Sequence, residues 1–254
     1  MASGGEEATD RIRETYVVSD IGLRGAMEDR HVLEVLPGLG LFGGVYDGHG
    51  GTEAVEVVAA SLHRFFATSL QAGHNPVQAF RDAYRLVEEE LKDEESGATA
   101  ATIFLRGDEM SFAHLGDARI LLVGSEPIPL TKDHRVNDPQ ERARILRAGG
   151  KVADPYVLRG LRGLMPTRSF GDAYFRPVGV TALPEVGIWR LRPEDRFVVV
   201  ACDGLFDVLE PLDIVDLLLH SSGAKAGAES LQEEVFARGG TDNLTILVIE
   251  LEKA

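Results

Sequence analysis

The chain has 254 residues, enough for one large domain or two small ones, and 44% of them are hydrophobic, enough for a sizeable core. Its 41 acidic and 26 basic residues give a formal net charge of −15, and the sequence shows no basic stripe typical of a nucleic-acid-binding protein. The one cysteine, Cys202, excludes an internal disulfide, and neither a signal peptide nor a membrane-length apolar run is visible. We therefore expect a cytoplasmic protein that binds neither nucleic acid nor membrane, with a monomer as the default.

The first half of the chain predicts a tail followed by strands and two helices. Residues 1–12 are polar and rich in Gly, Ser and Glu, so we predict a disordered tail before a single domain over 13–254. Apolar residues recur at helical spacing over 55–66 and 77–91, and Pro76 suits the first turn of the second helix. Apolar runs bounded by turns predict strands over 16–18, 31–36, 41–46, 99–105, 110–115 and 119–123.

The second half of the chain predicts helices and strands in separate runs. Asp138 and Pro139 suit the N-cap and first turn of a short helix that ends at Gly149. Segment 156–167 has neither periodicity, so we predict irregular structure there. Further helices are predicted over 214–220 and 230–238, and further strands over 186–191, 197–202 and 244–251. Strands that come in runs favour an α+β fold with antiparallel sheets over a doubly wound parallel sheet.

Four aspartates lie where an apolar strand meets a glycine or asparagine turn: Asp47, Asp117, Asp203 and Asp242. Ordinary turn chemistry accounts for any one of them. Asp203, however, directly follows a fully apolar run, where an unpaired charge is costly. Carboxylates that converge at strand ends repel one another unless a cation binds between them. The pair Glu28 and Asp29 adds a fifth acidic point just before the strand over 31–36.

Hard oxygen ligands beside small glycines suit Mg²⁺ or Mn²⁺, and the sequence shows no Cys/His cluster that suggests zinc. Gly48 lets a backbone carbonyl approach a metal without interference from a Cβ. Two such metals can activate a water and clamp an in-line phosphoryl displacement. Arg24 offers a fork for phosphate oxygens or, alternatively, a surface ion pair with Glu28. His49 can protonate a departing alkoxide or, alternatively, be a loop histidine that binds a carboxylate.

Seven motifs, in this order between residues 16 and 250, resemble those of the type-2C (PPM) family of metal-dependent protein serine/threonine phosphatases. They are Arg24-x-x-x-Glu28-Asp29, Tyr46-Asp47-Gly48-His49-Gly50-Gly51, Ser96-Gly97-Ala98-Thr99-Ala100, Leu115-Gly116-Asp117-Ala118-Arg119, Arg168-Ser169-Phe170-Gly171-Asp172, Ala201-Cys202-Asp203-Gly204-Leu205-Phe206-Asp207 and Gly240-Thr241-Asp242-Asn243. Any one of them is weak alone, but the ordered set is specific.

The resemblance implies a four-layer α-β-β-α sandwich, with two stacked antiparallel sheets flanked by helices. It implies a catalytic domain over 13–254 that hydrolyses phosphoserine and phosphothreonine on proteins, the targets of Ser/Thr kinases. The reaction would use a metal-activated water at a binuclear Mn²⁺ or Mg²⁺ centre, with a third, weaker metal nearby. Residues 132–151, here called the flap, together with 156–168, would shape substrate choice; alternatively they are a surface helix and loop without that role.

Matched positions give each candidate residue an implied role. Asp47 would bridge the two metals and the Gly48 carbonyl would bind one of them. The remaining implied ligands are Asp203 and Asp242, largely through waters, Glu28 for the second metal with Asp29 in support, and Asp117, which shares the third metal with Asp203. Arg24 would bind the phosphoryl group, and His49 would donate a proton to the departing Ser or Thr oxygen.

Three other interpretations remain at this point. A pseudophosphatase would keep the fold as a binding module, but every matched ligand is present. A phosphatase of the same fold could serve one narrow substrate, such as a phosphorylated regulator of a sigma factor, with the same catalytic residues. A calcium-binding protein would place its acidic ligands within one short segment, whereas here they are far apart in sequence.

Overall fold

The computed structural model describes residues 10–252 of the chain. Its strands are β1 Ile12–Asp20, β2 Asp29–Leu36, β3 Gly40–His49, β4 Gly97–Arg106, β5 Glu109–Leu115, β6 Arg119–Val123, β7 Pro127–Pro129, β8 Lys151–Ala153, β9 Tyr156–Arg159, β10 Arg162–Leu164, β11 Phe170–Gly171, β12 Glu185–Arg190, β13 Phe197–Ala201 and β14 Leu244–Leu251. Its α-helices are α1 Glu53–Gln71, α2 Pro76–Glu90, α3 Pro139–Arg147, α4 Asp203–Phe206, α5 Pro211–Leu219 and α6 Ala224–Ala237, and a 3₁₀ helix spans Ala173–Val178.

Two antiparallel sheets form the centre of the fold. One has the strand order β1-β14-β13-β6-β7, and the other has the order β12-β5-β4-β3-β2, with β11 paired to β4. Apolar side chains from both sheets, such as Ile103, Val198 and Leu247, form the core between them. Helices α1 and α2 pack on the outer face of the second sheet, and α4, α5 and α6 pack on the outer face of the first. The predicted α-β-β-α sandwich is therefore confirmed.

Strand β13 shows why a continuous apolar run belongs at the centre of such a sandwich. Successive side chains of a strand point to opposite faces of the sheet. Val198 and Val200 face the core between the sheets, whereas Phe197, Val199 and Ala201 face the helices. Because both faces of this strand are buried, no position along it favours a polar side chain.

The two best helix starts in the sequence form as predicted. The side chain of Asn75 accepts a hydrogen bond from the Gln78 amide, and Pro76 occupies the first turn of α2. The side chain of Asp138 accepts from the amides of Gln140 and Glu141 at the start of α3. Both caps satisfy amides that have no partner inside the helix.

Two predictions of local structure need correction. Segment 156–167 is not irregular, because β9 and β10 pair there, and β8 completes a small three-stranded sheet. Each of these strands has only three or four residues, too few for an alternating pattern to show in the sequence. The predicted tail also ends earlier than proposed: β1 begins at Ile12, and Arg11 donates to Asp108 at 2.7 Å. Residues 1–9 of that tail lie outside the described part of the chain.

No helix among residues 10–252 is long and apolar enough to cross a membrane.

Glu141, on the flap helix α3, is the centre of a buried ion cluster. Arg144 donates to both of its carboxylate oxygens, at 2.6 and 2.7 Å, and Arg168 donates to one of them at 2.8 Å. Burial alone would raise the pKa of Glu141, but the hydrogen bonds from Arg144, Arg168 and Thr167 outweigh it and lower the pKa to about 2. The cluster ties the flap to Arg168, the residue that opens the motif before β11.

We expect Glu141→Gln to destabilise the protein at pH 7 by about 3 kcal/mol, because two arginines lose their buried counter-ion. A lowered pKa stabilises the fold fully above the unfolded value of about 4.5 and loses that effect as the pH falls towards 2. The difference in free energy of unfolding between wild type and Glu141→Gln, measured by urea unfolding, should therefore become smaller below pH 4.5. Glu229→Gln, at an exposed pair with Lys225, is the control and should change little. A difference that stays constant with pH would contradict the prediction.

Candidate active site

A cleft of about 710 Å³ opens at the edge of the sandwich where β3 and β13 end and β14 begins. The predicted site residues that line it are Arg24, Glu28, Asp47, Gly48, His49, Asp117, Asp203 and Asp242. The ninth, Asp29, is buried and lies opposite Asp47 in the ladder between β2 and β3. Residues from five separate segments of the chain thus meet at one place because the strand ends that carry them share one edge.

Three carboxylates converge in this cleft. Asp47, Asp117 and Asp203 each place one oxygen within 4.8 Å of the other two. Burial raises the pKa of Asp47 well above its usual range, and the charges of Asp203, Asp29 and Asp117 raise it further. Burial and the charge of Asp117 likewise raise the pKa of Asp203 to about 7. Such carboxylates resist ionising together. The Arg135 guanidinium beside Asp117 and Asp203 lowers their pKa values only in part, so the cleft still favours a multivalent cation.

Asp29 strengthens the case for a cation. Burial raises its pKa to about 6, and its Oδ2 atom has no hydrogen-bond partner among the described residues. The donor set of the cleft consists of carboxylate and carbonyl oxygens, which are the ligands that Mg²⁺ and Mn²⁺ prefer. These residues therefore fit a centre of hard divalent cations.

Asn243 holds the loop between β1 and β2 against the start of β14. Its Nδ2 donates to the carbonyls of Ile21 and Ala26, at 2.9 and 3.0 Å, and its Oδ1 accepts from the Glu28 amide at 2.8 Å. The neighbouring Asp242 accepts from Arg24 at 2.6 Å. Asn243 therefore positions both the Arg24 and the Glu28 sides of the cleft. Its place beside Asp242 in the motif was the only sequence signal.

Arg24 does not pair with Glu28, the alternative that sequence spacing had suggested. It binds Asp242 instead, and its side chain remains 60% exposed at the cleft. The Glu28 carboxylate accepts from the Gly51 amide at 2.9 Å. Arg24 thus keeps exposed donors at the open cleft.

Gly48 has a steric role in addition to the carbonyl role that the sequence suggested. A Cβ at this position would lie 2.6 Å from the Glu28 carbonyl oxygen and 3.0 Å from the Cβ of Val55. The Gly48 amide donates to that same carbonyl at 3.2 Å. Glycine therefore lets β3 pass close to Glu28, which sets the spacing of the acidic residues across the cleft.

His49 forms a pair with Asp172, a partner that could not be identified from the sequence. The Nε2 atom of His49 lies 2.8 Å from Oδ2 of Asp172, and Ser169 donates to the same oxygen. Burial opposes protonation of His49, but the hydrogen bond and charge of Asp172 outweigh it and raise the pKa of His49. Asp172 is the last residue of the motif Arg168-Ser169-Phe170-Gly171-Asp172. The sequence therefore pointed to this segment but assigned no role to Asp172.

Gly97 makes room for the pair formed by His49 and Asp172. A Cβ at Gly97 would lie 2.2 Å from Nε2 of His49 and 2.3 Å from Oδ2 of Asp172. Gly97 faces His49 in the ladder between β3 and β4. The glycine of this motif is thus needed for the approach of the two side chains.

Among residues 10–252, a second group of possible metal ligands comes together, although the sequence showed no such cluster: His114, His134 and Glu185. The Gly116 amide donates to Nδ1 of His134 at 3.1 Å, so the ring proton lies on Nε2, the atom 3.4 Å from Glu185. Burial and the charges of His114 and Arg168 lower the pKa of His134 to about 2. A metal would have to displace the Nε2 proton, so this group does not fit zinc.

The fold and the cleft together define a class of protein. An α-β-β-α sandwich with carboxylates converging at one edge of its sheets is the architecture that the motifs implied for metal-dependent protein phosphatases. The sequence model of the family described as Protein phosphatase 2C matches residues 22–244 of the chain. The chain belongs to this family.

Individual relatives agree with that assignment. The chain is 34% identical over 247 residues to "Probable protein phosphatase 2C 11" of Arabidopsis thaliana, covering 91% of this chain and 64% of the relative. It is 31% identical over 261 residues to "Probable protein phosphatase 2C 52" of Oryza sativa subsp. japonica, covering 98% of this chain. The chain spans 64% and 53% of the lengths of these two relatives.

A solved structure supports the fold independently. The serine-threonine phosphatase 2C from Toxoplasma gondii superposes with a TM-score of 0.81 at 24% sequence identity, over 95% of this chain and 97% of that one. This likeness establishes the arrangement of sheets and helices.

Proposed function

We propose that the chain hydrolyses phosphoserine and phosphothreonine in proteins at a binuclear Mn²⁺ or Mg²⁺ centre. The observation that carries this proposal is the convergence of Asp47, Asp117 and Asp203 within 4.8 Å in an open cleft. Membership of the Protein phosphatase 2C family supports the reaction class.

The carboxylates of Asp47, Asp203, Asp242 and Glu28 and the carbonyl of Gly48 would hold the two ions, with Asp29 behind them. When bound, such ions lower the pKa of a water and neutralise the charge of the phosphoryl group. The protein supplies the fixed arrangement of oxygens, because each ligand lies at a strand end or in the loop that Asn243 holds.

Arg24 and His49 act on the substrate in this proposal. Arg24 presents its free N–H groups to the phosphoryl oxygens while one of them stays on Asp242. His49, protonated with the help of Asp172, donates from its remaining ring nitrogen, Nδ1, to the departing Ser or Thr oxygen. Asp172 is a positioning residue, since it acts only through His49.

The far side of the cleft offers a surface for the peptide around the phosphate. Leu164, the last residue of β10, lines the cleft together with Met165 and Pro166, and Arg162 reaches across to Glu95 at 2.8 Å. Leu161, at the turn before β10, is fully exposed. We propose that this segment, together with the flap, contributes to substrate choice.

Hydrolysis of a phosphothreonine peptide and of p-nitrophenyl phosphate, each with Mn²⁺ and then with EDTA, tests the function. We expect activity with both substrates in Mn²⁺ and none in EDTA. Activity that is unchanged by EDTA would exclude the metal-dependent reaction, and inactivity with Mn²⁺, Mg²⁺ and every other divalent cation tried would indicate a binding module.

We expect Arg24→Ala to raise KM for the phosphothreonine peptide by about 10–100-fold, with a smaller change in kcat, because a charged hydrogen bond to phosphate is lost. Arg24→Lys should recover part of this loss, since it restores the charge without the bidentate fork. Steady-state kinetics with both variants give the answer. A loss confined to kcat would contradict a role in substrate binding.

We expect Asp172→Asn to shift the alkaline limb of kcat for the phosphothreonine peptide to lower pH. Asp172 raises the pKa of His49, and a general acid acts only while it is protonated. Removing the negative charge lowers that pKa, so activity is lost at a lower pH. The profile with p-nitrophenyl phosphate is the control, because its leaving group needs no proton. An unshifted limb would show that Asp172 has only a structural role.

A further inference from the structure

Arg135 lies in the flap and reaches into the carboxylate cluster of the cleft. Its Nε donates to Oδ2 of Asp117 at 2.8 Å, and its Nη2 lies 3.5 Å from Oδ2 of Asp203 and 3.6 Å from Oδ2 of Asp207. The side chain is only 17% exposed. One guanidinium therefore lies against three carboxylates at the edge of the candidate metal centre.

The surroundings of Arg135 fix it in that position. Its Nε is 3.7 Å from Asp133, and Arg119 holds Asp133 with two hydrogen bonds of 2.6 and 2.7 Å. The backbone of Arg135 forms a β-bridge with Pro166, which lines the cleft. Neither the main chain nor the side chain can move away without breaking these contacts.

Asp117 and Asp203 are the two residues to which the motif resemblance assigned a third, weaker cation. In this chain the Oδ2 atoms of both carboxylates already face a guanidinium. A dication at the same place would lie against a fixed positive charge and would compete for the same oxygens. The residues around Asp117 therefore do not fit a third ion, although the rest of the cleft fits two.

We propose that Arg135 is a built-in counter-ion that takes the place of the third cation between Asp117 and Asp203, so that this chain binds two divalent ions and not three. The inference rests on the proposed function for the two main ions. It also makes Arg135 the residue that joins the flap to the metal centre, because its backbone belongs to the flap and its guanidinium to the cleft.

The number of Mn²⁺ ions bound per chain tests this proposal without relying on activity. Equilibrium dialysis against Mn²⁺, followed by elemental analysis, should give two ions for wild type and three for Arg135→Ala. Arg135→Lys keeps the positive charge and should bind two. Arg142→Ala removes another flap arginine, which pairs with Asp154 outside the cleft, and should also bind two.

A second variant locates the extra ion. Arg135→Ala combined with Asp117→Asn should return the count to two, because the third ion loses its main ligand. Arg135→Met, which keeps the aliphatic stem, should bind three and replaces Arg135→Ala if circular dichroism shows that the alanine variant does not fold.

Three outcomes would overturn the proposal. The first is that wild type binds three ions. The second is that Arg135→Ala and Arg135→Met each bind only two. The third is that the extra ion of Arg135→Ala persists when Asp117 is also replaced. If every variant binds two ions and wild type has metal-dependent phosphatase activity, the role of Arg135 is disproved and the proposed function stands. A wild type with neither bound Mn²⁺ nor activity would overturn the proposed function as well.

Discussion

Asp203→Asn should lower Mn²⁺-dependent kcat by about 10³-fold or more, with both the phosphothreonine peptide and p-nitrophenyl phosphate. Asp203 converges with Asp47 and Asp117, and its replacement removes a charged ligand from the proposed centre. The effect should not depend on the leaving group, because in the proposed reaction both substrates need the same activated water. Asp216→Asn, an exposed aspartate on α5, is the matched control and should keep full activity.

The same variant should change stability in the opposite direction from activity. Without metal, Asp203→Asn should be at least as stable as wild type, because it relieves repulsion among buried carboxylates. With Mn²⁺ at about 100 times its dissociation constant, wild type should gain about 2.7 kcal/mol and melt about 5–10 °C higher, and the variant should gain less. Thermal unfolding with and without EDTA measures both effects. Equal Mn²⁺-induced shifts in the two proteins would show that Asp203 is not a ligand.

His49→Ala should lower kcat for the phosphothreonine peptide by about 10²–10⁴-fold, the usual contribution of a general acid. With p-nitrophenyl phosphate, kcat of His49→Ala should fall by less than about tenfold, because nitrophenolate leaves without a proton. The ratio of the two losses is therefore the measurement that identifies the role of His49.

Two comparisons make this result specific to proton donation. His220→Ala, at a histidine with an 80% exposed side chain, should leave both rates unchanged. With the peptide, kcat of Asp172→Asn should lie between the values of wild type and His49→Ala, because His49 remains but its pKa is lowered. Equal losses with both substrates in His49→Ala would show that His49 serves the metal centre or the fold instead.

Local sequence patterns predicted most of the fold because their physical cause is local. The continuous apolar runs of β13 and β14 and the caps of α2 and α3 can each be recognised from neighbours within a few residues. The small sheet β8-β9-β10 could not be predicted in this way. Its strands are too short to carry a period, and they form only because partners meet across turns.

Sequence also identified the acidic residues of the cleft, because an aspartate that ends an apolar strand is costly without a partner. Eight of the nine predicted site residues line the cleft, and the ninth, Asp29, lies opposite Asp47 in the ladder between β2 and β3. The end of a strand can be recognised from the sequence of that strand alone. The strands that begin or end at one edge of a sandwich then bring their terminal residues together at that edge.

The partners of these residues were decided only by the tertiary structure. Arg24 binds Asp242, 218 positions away, and not Glu28; His49 binds Asp172, 123 positions away; and Arg135 lies between Asp117 and Asp203. A sequence shows which side chains carry charge, but the choice of partner depends on distances of a few ångströms across elements that only the packed sheets bring together. The sequence therefore determined the chemistry available to this protein, and the tertiary structure decided which charges meet.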